Sequence, residues 1–183
     1  MTHVLQSLRI KLITTLLITL FSFSYTQASE LSPELQVKLN VYKTKLTEWA
    51  KDPVIVKAVM QANNHKIKMD NKTWKKLSAS DAKVKPFLTS SAGKKLFAWE
   101  QDKTLGKLFL RDKTGNLVAG SKKPAIFNIA NRPAFTKAIR GKIWNSKKPK
   151  ADPTTKLSSI QLSIPVISNG KEIGVLHTSI IAN

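Results

Sequence analysis

The chain has 183 residues and no cysteine, and its 31 basic against 11 acidic side chains give a formal charge of +20. Without cysteine, disulfides, thiol chemistry and cysteine-ligated metals are excluded, while so positive a field draws anions and says nothing about fold. Only four of the bases are arginine (Arg9, Arg111, Arg132, Arg140), and the lysines are scattered singly and in pairs, which argues against a nucleic-acid reader built on the bidentate arginine fork.

The first element is a secretory signal. Arg9 and Lys11 precede an apolar run from Leu12 to Phe23, no acid interrupts it, and Thr26-Gln27-Ala28 ends it with small side chains where a signal peptidase reads. Residues 1–28 are therefore expected to be removed after Ala28, delivering a soluble domain to a bacterial periplasm, where a disulfide-free exported fold is at home. The apolar run is about a dozen residues against the roughly 20 of a spanning helix. An uncleaved inner-membrane anchor is the alternative, and the one route by which a membrane would hold the chain. Residues 31–183 are enough for one domain with its own core.

Ser32-Pro33-Glu34 opens a helix: a capping hydroxyl, proline at the first helical position, an acid in the first turn. Leu35, Leu39, Tyr42, Leu46 and Trp49 follow as one apolar stripe some four turns long. Asp52-Pro53 stops this helix and caps another, in which Val54, Ala58, Val59 and Ala62 share a face. Residues 70–77 predict a short third helix carrying Trp74 and Leu77. Leu88, Ala92, Leu96 and Trp99 predict a fourth, with Gly93 an awkward guest inside it.

After Gln101 the apolar period shortens from helical to alternating. The pattern predicts a strand over 107–112, a turn at 113–116 with Gly115, and a hairpin partner over 117–121. An irregular stretch leads to a helix over 132–140, closed by Gly141. Strand signal returns at Ile143, breaks in a polar loop over 145–155 and resumes over 157–168. Asn169-Gly170 is a two-residue hairpin turn into a closing strand over 172–181. Helices followed by an antiparallel meander with one inserted helix make the class α+β. Ile160, Leu162, Ile164 and Val166 point to one side of the sheet, with Leu176, Thr178 and Ile180. Ser159, Gln161, Ser163, Val175, His177 and Ser179 point to the other, which is either a solvated face or the floor of a polar pocket.

Four stretches in order, Trp49–Val59, Leu110–Ala119, Arg132–Ala138 and Leu162–Leu176 with its Asn169-Gly170 turn, resemble the Cache (PDC) family of extracytoplasmic PAS-like sensor domains. The resemblance implies a long N-terminal helix across an antiparallel sheet of about five strands, and a ligand pocket on the opposite face under an inserted helix. Carried over by position, the roof is residues 127–135 with Phe127, Arg132 and Phe135, joined by Trp144; the floor is Ser159, Gln161 and His177. The family's pockets take amino acids, short carboxylates or similar metabolites, so the resemblance implies a small-molecule ligand of that kind and a membrane-bound kinase or chemoreceptor as partner. Cache domains usually sit between two spans ahead of an output module. Neither is expected in this chain, which leaves a domain that binds and delivers, a sensor that reports to a separate membrane partner, or an anchored remnant.

The residues themselves give little support to catalysis. His65 and His177 lie on different elements, and no nucleophile elbow, zinc motif or phosphate loop is present. Asp102, Asp112 and Asp152 read as turn and cap residues. No cofactor or metal is called for. Arg132, ahead of a helix-opening proline and beside the mixed sheet face, is the residue best placed to hold a carboxylate; its alternative is a surface guanidinium at a cap. Trp99 and Trp144 are either ligand-stacking or core. The competing reading is a cationic envelope protein with a vestigial pocket, adhering to anionic polymers.

Overall fold

In a computed structural model the described residues are 31–182, Lys66 excepted; the expected signal, residues 1–28, lies outside the described residues. The first helix, α1 (Pro33–Trp49), begins where Ser32 Oγ accepts the Leu35 amide at 3.3 Å and buries Leu35, Leu39, Tyr42 and Leu46. Asp52 separates it from α2 (Pro53–Asn64), accepting the Val54 amide at 2.9 Å. The face α2 buries is Ile55 and Val59, shifted from the expected one. Short helix α3 (Asn71–Lys76) buries Trp74 completely.

The fourth predicted helix is two. Ser90, with extended backbone, ends α4 (Lys85–Thr89) and caps α5 (Ser91–Glu100) by accepting the Gly93 amide at 3.1 Å. The glycine is what allows the break: a Cβ at Gly93 would lie 2.4 Å from the Leu88 carbonyl oxygen. A residue that looked like a flaw in one helix is the start of the next.

The sheet contains β1 (Leu105–Asp112), β2 (Leu117–Gly120), β3 (Trp144–Asn145), β4 (Lys150–Ala151), β5 (Ser158–Ser168) and β6 (Lys171–Ile181). All pairs are antiparallel, in the order β2-β1-β6-β5-β3, with β4 also paired to β5. Asn169 and Gly170, both at positive φ, make the β5–β6 turn, as the right-handed twist of a hairpin demands. The inserted helix α6 (Pro133–Ala138) is shorter than the predicted 132–140 span. Strand β4 lies inside the stretch read as a loop. Two residues are too few to show a period, and only pairing with β5 defines them as a strand.

The main core lies on one side of the sheet. The stripe of α1 packs there with Ile55 and Val59 of α2, Leu96 of α5, and Leu108, Leu110, Ile160, Leu162, Ile164, Val166, Leu176 and Ile180. Each such side chain contributes roughly 1.5–3 kcal/mol on leaving water. The other side is filled only at its ends. Trp74, Val84, Leu117 and Phe127 pack on Phe109 at one end. At the other, Ile129, Phe135 and Ala138 cover Val175.

Candidate binding site

Between those two clusters the far face is hollow. A cavity of about 460 Å³ is floored by β1, β5 and β6 and covered by residues 124–134, with Trp144 and residues 150–154 closing one flank. The floor is charged. Alternation along β1 sends Lys107, Phe109 and Arg111 to this side, and cross-strand pairing sets Phe109 beside His177 and Ser163 beyond it.

Arg111 is buried to 2% exposure. It donates to the backbone carbonyls of Phe127 and of Ile126, the latter at 3.3 Å, while its Nε has no hydrogen-bond partner among the described residues. Burial pulls the guanidinium down to about 9, opposed by the neighbouring charge of Asp112, so it is still a cation at neutral pH. No carboxylate forms an ion pair with it among the described residues. A charge removed from water without a counter-charge is costly unless something else compensates it.

Lys107 has a partner. Its ammonium meets the carboxylate of Asp152, which is wholly buried. Asp152 also accepts the amides of Thr154 and Thr155, at 2.8 and 2.9 Å, and the Gln161 amide nitrogen at 2.7 Å. Burial works to raise this carboxyl, but Lys107 and the other donors overcome it and hold it at about 2. The strap over 145–157 is thereby pinned to the sheet. His177 Nδ1 lies 2.8 Å from Ser163 Oγ. Burial, with the charges of Lys107 and Arg111, pushes the imidazole well below its usual range, so it is neutral at pH 7.

Of the seven site residues expected from the sequence, Arg132, Trp144, Gln161 and His177 line the cavity. Three do not. Phe127 is completely buried against Trp74 and Phe87, with ring centroids 5.2 and 5.7 Å away, and only its carbonyl contributes, by holding Arg111. Phe135 faces Val175 in the flanking cluster. Ser159 sits one step behind, accepting from Gln161 at 3.4 Å. Arg132 is itself exposed, at the rim. Trp99 stacks on Trp49 at 4.6 Å, away from the cavity.

The sequence reading missed Lys107, Arg111 and Asp152. For β1 a signal existed: two cations alternate with Leu108 and Leu110, so they must point away from the core. For Asp152 there was none, since the turn it makes is real and only the fold brings its second oxygen to Lys107. Asp102 and Asp112 behave as read, each accepting backbone amides within its own turn, although Asp102 also accepts from Tyr42 and Lys45.

Neither a family model nor a curated relative matches the chain. Solved structures do. A domain assigned to the sensory box/GGDEF family of Vibrio parahaemolyticus superposes with a TM-score of 0.51 at 11% identity, over 80% of this chain and 54% of that one. The fold is that of the Cache (PDC) sensor domains. Other Cache structures align more loosely. The sensor domain of the V. cholerae histidine kinase DctB is 21% identical (TM-score 0.42; 81% of this chain, 57% of that). The ligand-binding domain of the Campylobacter jejuni chemoreceptor Tlp3 with L-norvaline is 15% identical (0.48; 81% and 54%). The chain spans a little over half the length of these Cache structures.

Proposed function

We propose that the domain is an exported, periplasmic sensor module that binds a small anionic or zwitterionic metabolite, an amino acid or carboxylate, in the cavity on the far face of the sheet. Residues 1–28 serve as its cleaved signal, 31–183 are the sensor, and the partner is a membrane-bound kinase or chemoreceptor. The observation that carries this reading is Arg111: a buried guanidinium on the cavity floor, with no carboxylate partner and an unused Nε donor among the described residues. A ligand carboxylate would supply the missing counter-charge through charge-assisted hydrogen bonds. Phe109, Ile126, Ile129 and Trp144 offer apolar walls for the rest of a metabolite, and the volume suits a small molecule.

The ligand would touch both the floor and its cover, since Arg111 holds the Ile126 and Phe127 carbonyls while Arg132 reaches the rim from the N-terminus of α6. Occupancy would tighten residues 124–134 onto β1, and α1 packs on the opposite face of the neighbouring strands. That is a route from the pocket to the outside of the domain. Among the described residues no helix is long and apolar enough to cross a membrane.

The test is a thermal-shift and calorimetric screen of amino acids and short carboxylates against wild type, Arg111→Met and Arg132→Ala. At least one compound should stabilise the wild type, Arg111→Met should weaken its binding about 30-fold, and Arg132→Ala should weaken it less. Absence of any stabilising compound sinks the reading.

A further inference from the structure

The cavity carries more information than its positive charge, because the carboxylate behind its flank, Asp152, is already used. Among the described residues lining the cavity none is acidic; the cations are Lys107 and Arg111 on the floor and Arg132 and Lys150 nearer solvent. Asp152 stands directly behind the flank between Ala151 and Pro153. A carboxylate offers about four acceptor sites, and four donors occupy it: Thr154 N, Thr155 N, Gln161 Nε2 and Lys107 Nζ. The nearby carbonyls are also engaged. Those of Ile126 and Phe127 accept from Arg111, and that of Pro124 accepts from Trp74 Nε1 at 2.8 Å. An ammonium brought into this space would find cations and few free acceptors.

Resting on the binding role proposed above, we propose that the site selects carboxylates that lack an α-ammonium group, and that Asp152 sets this selectivity by being committed to Lys107 and Gln161. The commitment does two things. It removes the acid that, among the described residues, stands nearest to receive an ammonium, so an amino acid must leave its cation unpaired in a site that repels it. It also neutralises Lys107, leaving Arg111 as the floor cation without an ion pair among the described residues, which matches one carboxylate on a short apolar body resting against Phe109, Ile129 and Trp144.

The experiment is isothermal titration of the purified full chain with matched pairs that differ only at the α-position: butyrate against 2-aminobutyrate, and isovalerate against valine. The acid of each pair should bind at least tenfold more tightly than its amino acid. Lys107→Met frees the Asp152 carboxylate, and the acid-to-amino-acid preference should then shrink at least tenfold. Asp152→Asn, which leaves Lys107 uncompensated, should instead favour glutarate over butyrate relative to wild type. If the amino acids bind wild type as tightly as the acids, the selectivity is wrong while the binding role survives. If wild type prefers the acids but neither variant shifts the preference, Asp152 does not set it. If neither class binds, the binding role falls and takes this inference with it.

Discussion

The two faces of the sheet are made by the same strands and obey opposite rules. On the core side β1, β5 and β6 present leucine, isoleucine and valine to three helices, and the space is filled. One residue away along each strand, the far side presents Lys107, Arg111, Gln161 and His177 to a hollow bounded by two small apolar clusters. The backbone hydrogen bonds are shared, so the ladder that the core stabilises also holds the charged floor rigid. A floor that holds Arg111 buried without an ion pair among the described residues is tolerable because another part of the structure supplies the stability. The lesson is a division of labour at single-residue alternation.

That contrast can be broken from either side. The largest effect belongs to the packed face: Leu162→Ala, at a fully buried position in the sheet, should cost about 3–4 kcal/mol in the free energy of urea unfolding through lost burial and the void left behind. Asp152→Ala should come next, at about 3 kcal/mol, because it strands Lys107 in a nearly dry place. A double variant, Lys107→Met with Asp152→Leu, should recover most of that loss, which a purely steric role for Asp152 would not allow. Arg111→Met tests the far side in the opposite sense. It should lower ligand affinity about 30-fold, near 2 kcal/mol, yet change the stability of the ligand-free protein by less than about 1 kcal/mol, because an uncompensated charge leaves with the side chain. A Tm that falls as far as that of Leu162→Ala would show that Arg111 belongs to the core's bookkeeping.

The smallest effect is a pH dependence. His177 is depressed in the folded state, so below pH 6.5 the unfolded chain binds the extra proton and stability falls as the solution is acidified. Stability should fall as pH drops from 6.5 towards 5, and His177→Gln should flatten that fall. Asp152 acts lower. Its pKa is held down to about 2, so its contribution is intact above the usual aspartate range near 3.9 and disappears as pH falls from about 4 towards 2. Thermal denaturation in a pH series reads both windows, and a wild-type profile flat from pH 6.5 to 5 would contradict the burial of an uncharged His177.

Most of the architecture was legible because it is written in local chemistry. Ser32 and Asp52 cap helices by bonds within their own turns, the Leu35–Leu46 stripe has a helical period, and Asn169-Gly170 can hardly be anything but a hairpin turn. Those signals need only neighbours in sequence. The errors also have physical causes. Ser90 and Gly93 split a helix because of a close approach to Leu88, and Lys150–Ala151 became a strand only by lying beside β5.

The site was legible in part. The alternation that sends Gln161 and His177 away from the core is present in the chain, and it equally exports Lys107 and Arg111, which strand periodicity alone could have flagged. What periodicity cannot say is how far a residue sits from water. Arg132, the arginine singled out by its place before a proline, is at the rim, and Arg111, read only as one residue of the first strand, is at the bottom.

What the sequence determined by itself, then, is the order of elements, the capping, the turn positions and which way each strand residue faces, since these depend on bonds and periods spanning a few residues. Only the tertiary structure decided that the far face is hollow, that Asp152 answers Lys107 across 45 positions of chain, and that Arg111 is buried with no ion pair among the described residues. Burial and charge pairing are properties of what surrounds a side chain, and those surroundings come from distant segments that the local pattern does not encode.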